Sequence, residues 1–130
     1  MFKEKKIFGI SLDLLGFSGS FLCAIHCLAL PILVSLGALS HIHLHHTYTW
    51  EWILFAALLM IAIASLWTSF RSSHGDTRPL VIAFVGILLI LIGIVGHEYF
   101  GHAVSGLGGL LLAGAHMINW MLMRRVRSAV

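Results

Sequence analysis

Charged residues are scarce in this sequence, and cysteine and proline are scarcer still, with two of each. Asp, Glu, Lys and Arg make up 10% of the 130 residues, while hydrophobic residues make up 59%. Soluble domains carry about 25% charged residues, so this composition favours a lipid environment. Most of the Lys and Arg residues lie near the two ends. No basic patch runs along the chain, and we therefore predict no nucleic-acid partner.

The sequence also lacks the motifs of the common enzyme classes. It has no phosphate-binding loop, no dinucleotide-binding fingerprint and no plausible Ser/His/Asp arrangement. His97, Glu98 and His102 do not form the His-Glu-x-x-His motif of zinc proteases, because the spacing of the two histidines is wrong. We therefore predict that the protein is not an enzyme. The segment is interpreted as a polar turn, with Glu98 as a candidate for an outer-side ligand or a proton acceptor.

Four long apolar stretches account for most of the chain, at about residues 8–36, 50–70, 79–97 and 103–123. Each is long enough for a membrane-spanning helix, which needs about 20 residues. Short connections make successive helices antiparallel, and the glycine-rich fourth stretch favours close helix contacts. The sequence predicts an all-α fold, an integral membrane four-helix bundle in the lipid bilayer that forms one domain over residues 1–130.

The positions of Lys and Arg predict how the bundle is oriented. They occur at both ends and between the second and third stretches, and they are missing from the other two connections. Because positive residues favour the cytoplasmic side, both termini are predicted to be cytoplasmic. The first connection then faces outward, and it holds His41, His43, His45 and His46. We interpret these histidines as an outer capture zone for metal ions, or alternatively as a solvated polar loop.

The two cysteines lie together inside the first apolar stretch. Cys23, His26 and Cys27 have i, i+3 and i+4 spacing, so they project from one face of a helix. Two thiols and an imidazole suit Hg(II), Zn(II) and Cu(I) alike. The alternative is that the cysteines fill space and His26 bonds a neighbouring helix. We favour a metal site, with the ion as substrate and no cofactor required, because polar groups at such depth are costly.

A second polar group is predicted nearer the cytoplasmic side. His116 and Asn119 share a face of the fourth stretch, and His116 lies at about the level of Asp13 in the first. An interhelical hydrogen bond would explain these residues without a ligand. The functional interpretation is a second, harder metal site on an inward path, with His116 as ligand and with Asp13 and Asn119 beside it.

Two segments carry a family resemblance. The first stretch contains Asp13-x-x-Gly16, then Ser20-x-Leu22-Cys23-Ala24-Ile25-His26-Cys27 and Pro31. The fourth contains Gly114-Ala115-His116-Met117-Ile118-Asn119 ahead of a basic end. In these motifs, and in the number and order of its apolar stretches, the chain resembles MerC-type membrane proteins. The resemblance implies mercuric-ion uptake across the bacterial inner (cytoplasmic) membrane in metal resistance.

The same resemblance makes Cys23 and Cys27 the ion-binding thiols, which pass Hg(II) inward towards a cytosolic mercuric reductase. Mercury-operon members also carry a cytoplasmic cysteine pair near the C-terminus, which this chain lacks. His26 and the outer histidines move the predicted preference towards a borderline ion such as Zn(II).

Other functions fit the same residues. A haem-binding or redox membrane module would use His26, His97 or His116 as axial ligands. A metal-binding sensor or accessory subunit would hold the ion without moving it. Four short helices enclose little space, so a homodimer is also compatible with the sequence.

Overall fold

The computed structural model describes residues 6–7, 10–37, 48–96 and 100–129. Within them the chain is almost entirely helical, and the predicted all-α class is confirmed. The helices are α1 (Leu12–Ser35), α2 (Tyr48–Ala62), α3 (Arg78–Val95) and α4 (Gly101–Ser128). Two π-helical segments, Ile63–Trp67 and Phe70–His74, continue α2. Before α1, the two-residue strands β1 (Lys6–Ile7) and β2 (Ile10–Ser11) pair antiparallel.

Four helical stretches of the described residues are long and apolar enough to cross a membrane: Leu12–Ala29, Thr49–His74, Arg78–Val95 and Gly101–Ser128. Their outer faces carry large apolar side chains; Leu22, Met60 and Phe84, for example, are each more than half exposed. A surface of this kind suits contact with lipid chains rather than water.

Two of the helices extend further than the apolar pattern predicts. The second continues to His74 because the π-helical turns carry it past Phe70. The fourth continues past Met123 to Ser128, where the guanidinium carbon of Arg124 lies 3.8 Å from the centre of the Trp120 ring. This cation–π contact stabilises a charged residue at the end of an otherwise apolar helix.

Helix α4 is the central helix of the bundle, since it packs against α3 on one side and α1 on the other. Its contact with α3 is made by backbone. A Cβ atom on Gly108 would lie 2.6 Å from the carbonyl oxygen of Gly86 and 2.7 Å from the backbone nitrogen of Ile90. Only glycine permits this approach, in agreement with the use of small residues at membrane helix interfaces.

The contact of α4 with α1 also depends on glycines. A Cβ atom on Gly109 would lie 3.1 Å from the carbonyl oxygen of Ser20, and one on Gly106 would overlap the side chain of Leu28. Gly114 is different, because nothing lies within 4 Å of its Cβ position. The glycines of α4 therefore fix the distance to both neighbours, except at Gly114.

Candidate metal site

The thiol side chains of Cys23 and Cys27 are half-buried on the same face of α1. They lie one helical turn apart in a continuous stretch of α1. Both line a cleft of about 520 Å³ to which all four helices contribute. The ionisable residues that line it are Cys23, His26, Cys27, Glu51 and His102, and we call this group the thiol cleft.

Glu51 is a member of the thiol cleft that the sequence interpretation missed. It lies in the first turn of α2, close enough to both thiols for its carboxylate to interact with them electrostatically. A signal was present, because Glu51 is the only acidic residue of the second apolar stretch. An ionisable residue inside a membrane span is a functional candidate by default.

The imidazoles of the thiol cleft come from two helices. His26, which we predicted beside the thiols, lines the cleft but is exposed. His102 enters from the first turns of α4. Among the residues that the structure describes, no group of three or more His, Cys, Asp and Glu side chains is arranged to hold a metal ion. The thiol pair is therefore the most compact set of soft ligand atoms in the cleft.

A second polar group lies about 15 Å from the thiols along α1, a distance that follows from the helical rise per residue. The side-chain nitrogen of Asn119 donates to both carboxylate oxygens of Asp13, at 2.9 Å each. Nδ1 of His116 lies 3.3 Å from Oδ1 of Asp13, and the Ser65 hydroxyl donates to the same oxygen. The structure thus brings together the three residues that the sequence placed near the cytoplasmic side.

This second group is deeply buried, and a further serine completes it. Asp13 is 5% exposed, His116 1% and Asn119 not at all. The amide of Asn119 also donates to the hydroxyl of Ser69, at 3.1 Å. We call Asp13, Ser65, Ser69, His116 and Asn119 the Asp13 cluster. The serines were missed, although polar residues at i, i+4 inside an apolar span were a signal for them.

His74 connects the Asp13 cluster to the loop between the second span and α3. Its Nε2 lies 2.8 Å from Oδ1 of Asn119, and its Nδ1 accepts from the backbone N–H of Asp76 at 3.0 Å. Because Nδ1 accepts, Nε2 carries the hydrogen and donates it to Asn119. The π-helical turn that ends at His74 supplies this geometry, as π-helical turns often do at functional sites.

The predicted site residues therefore separate into two groups. Cys23, His26 and Cys27 line the thiol cleft, while His116, Asp13 and Asn119 form the core of the Asp13 cluster. The predicted capture zone of His41, His43, His45 and His46 lies outside the described residues, and so does Glu98.

Comparison with known proteins gives one result. A family model described as MerC mercury resistance protein matches residues 13–121. The match begins at Asp13 and includes both cysteines, His116 and Asn119. No curated protein and no solved structure matches the chain. With the four membrane-length helices of the described residues, this match identifies a multi-pass membrane protein. The chain belongs to the MerC mercury resistance protein family.

Proposed function

We propose that the protein carries a thiophilic metal ion, Hg(II) in the first place, across the bacterial inner membrane through the thiol cleft. The observation that carries this proposal is that Cys23 and Cys27, one helical turn apart, line the same cleft within an apolar helix bundle. Thiols are the softest ligands that a protein offers, and they select soft ions. The family match supports mercury as the element concerned.

The number of ligands favours Hg(II) or Cu(I) over Zn(II). Structural Zn(II) sites have four ligands, and catalytic ones have three and a water. The described residues contain no group of three or more side chains suited to a metal ion. Two thiolates satisfy the linear coordination of Hg(II) and Cu(I). The Zn(II) preference that the sequence predicted is therefore less well supported than Hg(II).

The charge pattern supports an inward direction from the cleft to the Asp13 cluster. Arg71, Arg78 and the arginines of the C-terminal end of α4 lie at the end of the bundle where the Asp13 cluster approaches the loop. By the positive-inside rule this end is cytoplasmic, and both termini with it. The thiol cleft then lies in the outer half, where Glu51 and His102 attract a cation before it reaches sulfur.

The proposal is tested with purified protein in proteoliposomes that contain glutathione, which retains the ion that enters. We expect the protein to bind one Hg(II) per thiol pair and to take up Hg(II) faster than empty liposomes, with little uptake of Zn(II). Binding without uptake would instead support a sensor or accessory subunit. A Soret band in the absorption spectrum would support the haem-binding alternative.

Glu51 offers a test of how the cleft attracts its ion. Replacement of Glu51 with Gln removes a negative charge beside both thiols and leaves the shape of the side chain intact. We expect Hg(II) binding to weaken roughly fivefold, equivalent to about 1 kcal/mol. Competition against a thiol chelator measures this change in Hg(II) affinity. Glu51→Asp keeps the charge and is the matched control; equal affinity of the Gln variant and the wild type would show that Glu51 has no such role.

A further inference from the structure

Two buried polar side-chain atoms of the described residues have no hydrogen-bond partner: Ser20 Oγ and His116 Nε2. Buried polar atoms are almost always paired, because leaving one unpaired costs about 1–3 kcal/mol. Both atoms lie where α1 meets α4, between the thiol pair and Asp13. An unpaired acceptor on the expected route of a cation suggests that the cation itself is the missing partner.

Asp13 determines which atom of His116 is available. Oδ1 of Asp13 already accepts from Asn119 and Ser65, so in the contact with His116 the hydrogen is on Nδ1 of the imidazole. In that tautomer Nε2 keeps its lone pair. This arrangement, in which a carboxylate orients an imidazole and makes it more basic, is the usual environment of a metal-binding histidine. Asp13 is therefore an orienting group here, since both of its oxygens are engaged.

Gly16 determines where the imidazole lies. A Cβ atom on Gly16 would lie 2.4 Å from Nε2 of His116, so the ring occupies the space that any other side chain would fill. Ser20 is one turn further along α1, about 6 Å away, and Cys23 follows almost one turn later. His116 also lines a cavity of about 150 Å³ beside Phe17 and Trp120. Nε2 itself lies against Gly16, on the face of α1 that also carries Ser20.

We propose that His116 Nε2, oriented by Asp13, is a second station for the transported ion, inward of the thiol cleft. The station takes a soft or borderline cation through nitrogen, and Ser20 Oγ lies between it and the thiols. This inference rests on the proposed function and extends it. One imidazole holds such an ion less tightly than two thiolates, so the station accepts the ion and then releases it towards the cytoplasm.

The test compares His116→Phe, which keeps a flat ring without nitrogen, with Gly16→Ala, which displaces the ring. Gly114→Ala is the matched control for Gly16→Ala, because it adds the same methyl group to α4 near His116, where nothing lies within 4 Å of the Cβ position. We expect Hg(II) uptake to fall about tenfold or more in the first two variants. Equilibrium binding of the first Hg(II) equivalent stays at the wild-type level in all three, and uptake by Gly114→Ala is unchanged.

Wild-type uptake by His116→Phe, or an equal loss in Gly114→Ala, would overturn the second station. Loss of binding of the first Hg(II) equivalent in His116→Phe would also overturn it, since the ring would then support the thiol site. X-ray absorption at the mercury edge gives a readout that does not depend on transport. With two Hg(II) equivalents we expect nitrogen coordination that His116→Phe reduces; an unchanged spectrum contradicts the inference. Failure of the proposed function appears differently, as wild-type protein without uptake.

Discussion

Replacement of both Cys23 and Cys27 with Ser is expected to abolish Hg(II) uptake and to weaken Hg(II) binding by at least about 100-fold, or roughly 2.8 kcal/mol. The two thiols line the thiol cleft one helical turn apart, and together they supply both soft ligands. A hydroxyl oxygen is a hard ligand and binds a soft ion poorly. Serine has nearly the same shape as cysteine, so the fold is expected to be retained.

The single variants and a control make this result specific. Cys23→Ser and Cys27→Ser each leave one thiol, and we expect each to lose most of the affinity because linear two-sulfur coordination is then impossible. Ser18→Ala is the control, since Ser18 lines the same cleft without offering sulfur. Uptake and equilibrium binding are measured on the same preparations. A double variant that still transports Hg(II) would remove the thiol pair from the mechanism.

The second large effect is expected at the contact between α3 and α4. A Cβ atom on Gly108 would meet the backbone of Gly86 and Ile90 at 2.6 and 2.7 Å, and backbone cannot move aside as a side-chain tip can. Gly108→Ala therefore forces the two helices apart, at a cost of about 1–3 kcal/mol. We expect a lower unfolding temperature in detergent. Uptake should fall too, because α4 carries both His102 and His116.

Gly114→Ala is the matched control in the same helix. Nothing lies within 4 Å of its Cβ position, so the new methyl group meets no neighbour. Alanine is a better helix former than glycine by about 1 kcal/mol, and the unfolding temperature should stay the same or rise. Similar destabilisation by both substitutions would show that glycine content in α4, rather than the backbone contact at Gly108, matters for the bundle.

Much of the fold follows from the sequence, because the reasons are local. Four apolar stretches must become helices in lipid, where every backbone polar group needs an internal partner. The proximity of Cys23 to Cys27 is local as well, since one helical turn brings residues i and i+4 together. The level of Asp13 and His116 along their helices could be estimated from the helical rise alone, and the structure does bring the two side chains together.

The tertiary structure decided which faces of the helices meet. The third stretch is apolar around its whole circumference up to Val95, so no polar stripe in its sequence indicates which side faces a neighbour. Glycine contacts at Gly93, Gly108 and Gly109 set the orientation instead, since backbone lies against backbone there. That packing placed Glu51 and His102 in the thiol cleft and Ser65 against Asp13. The sequence alone determined which ligands the chain carries, and helix packing determined which of them share a site.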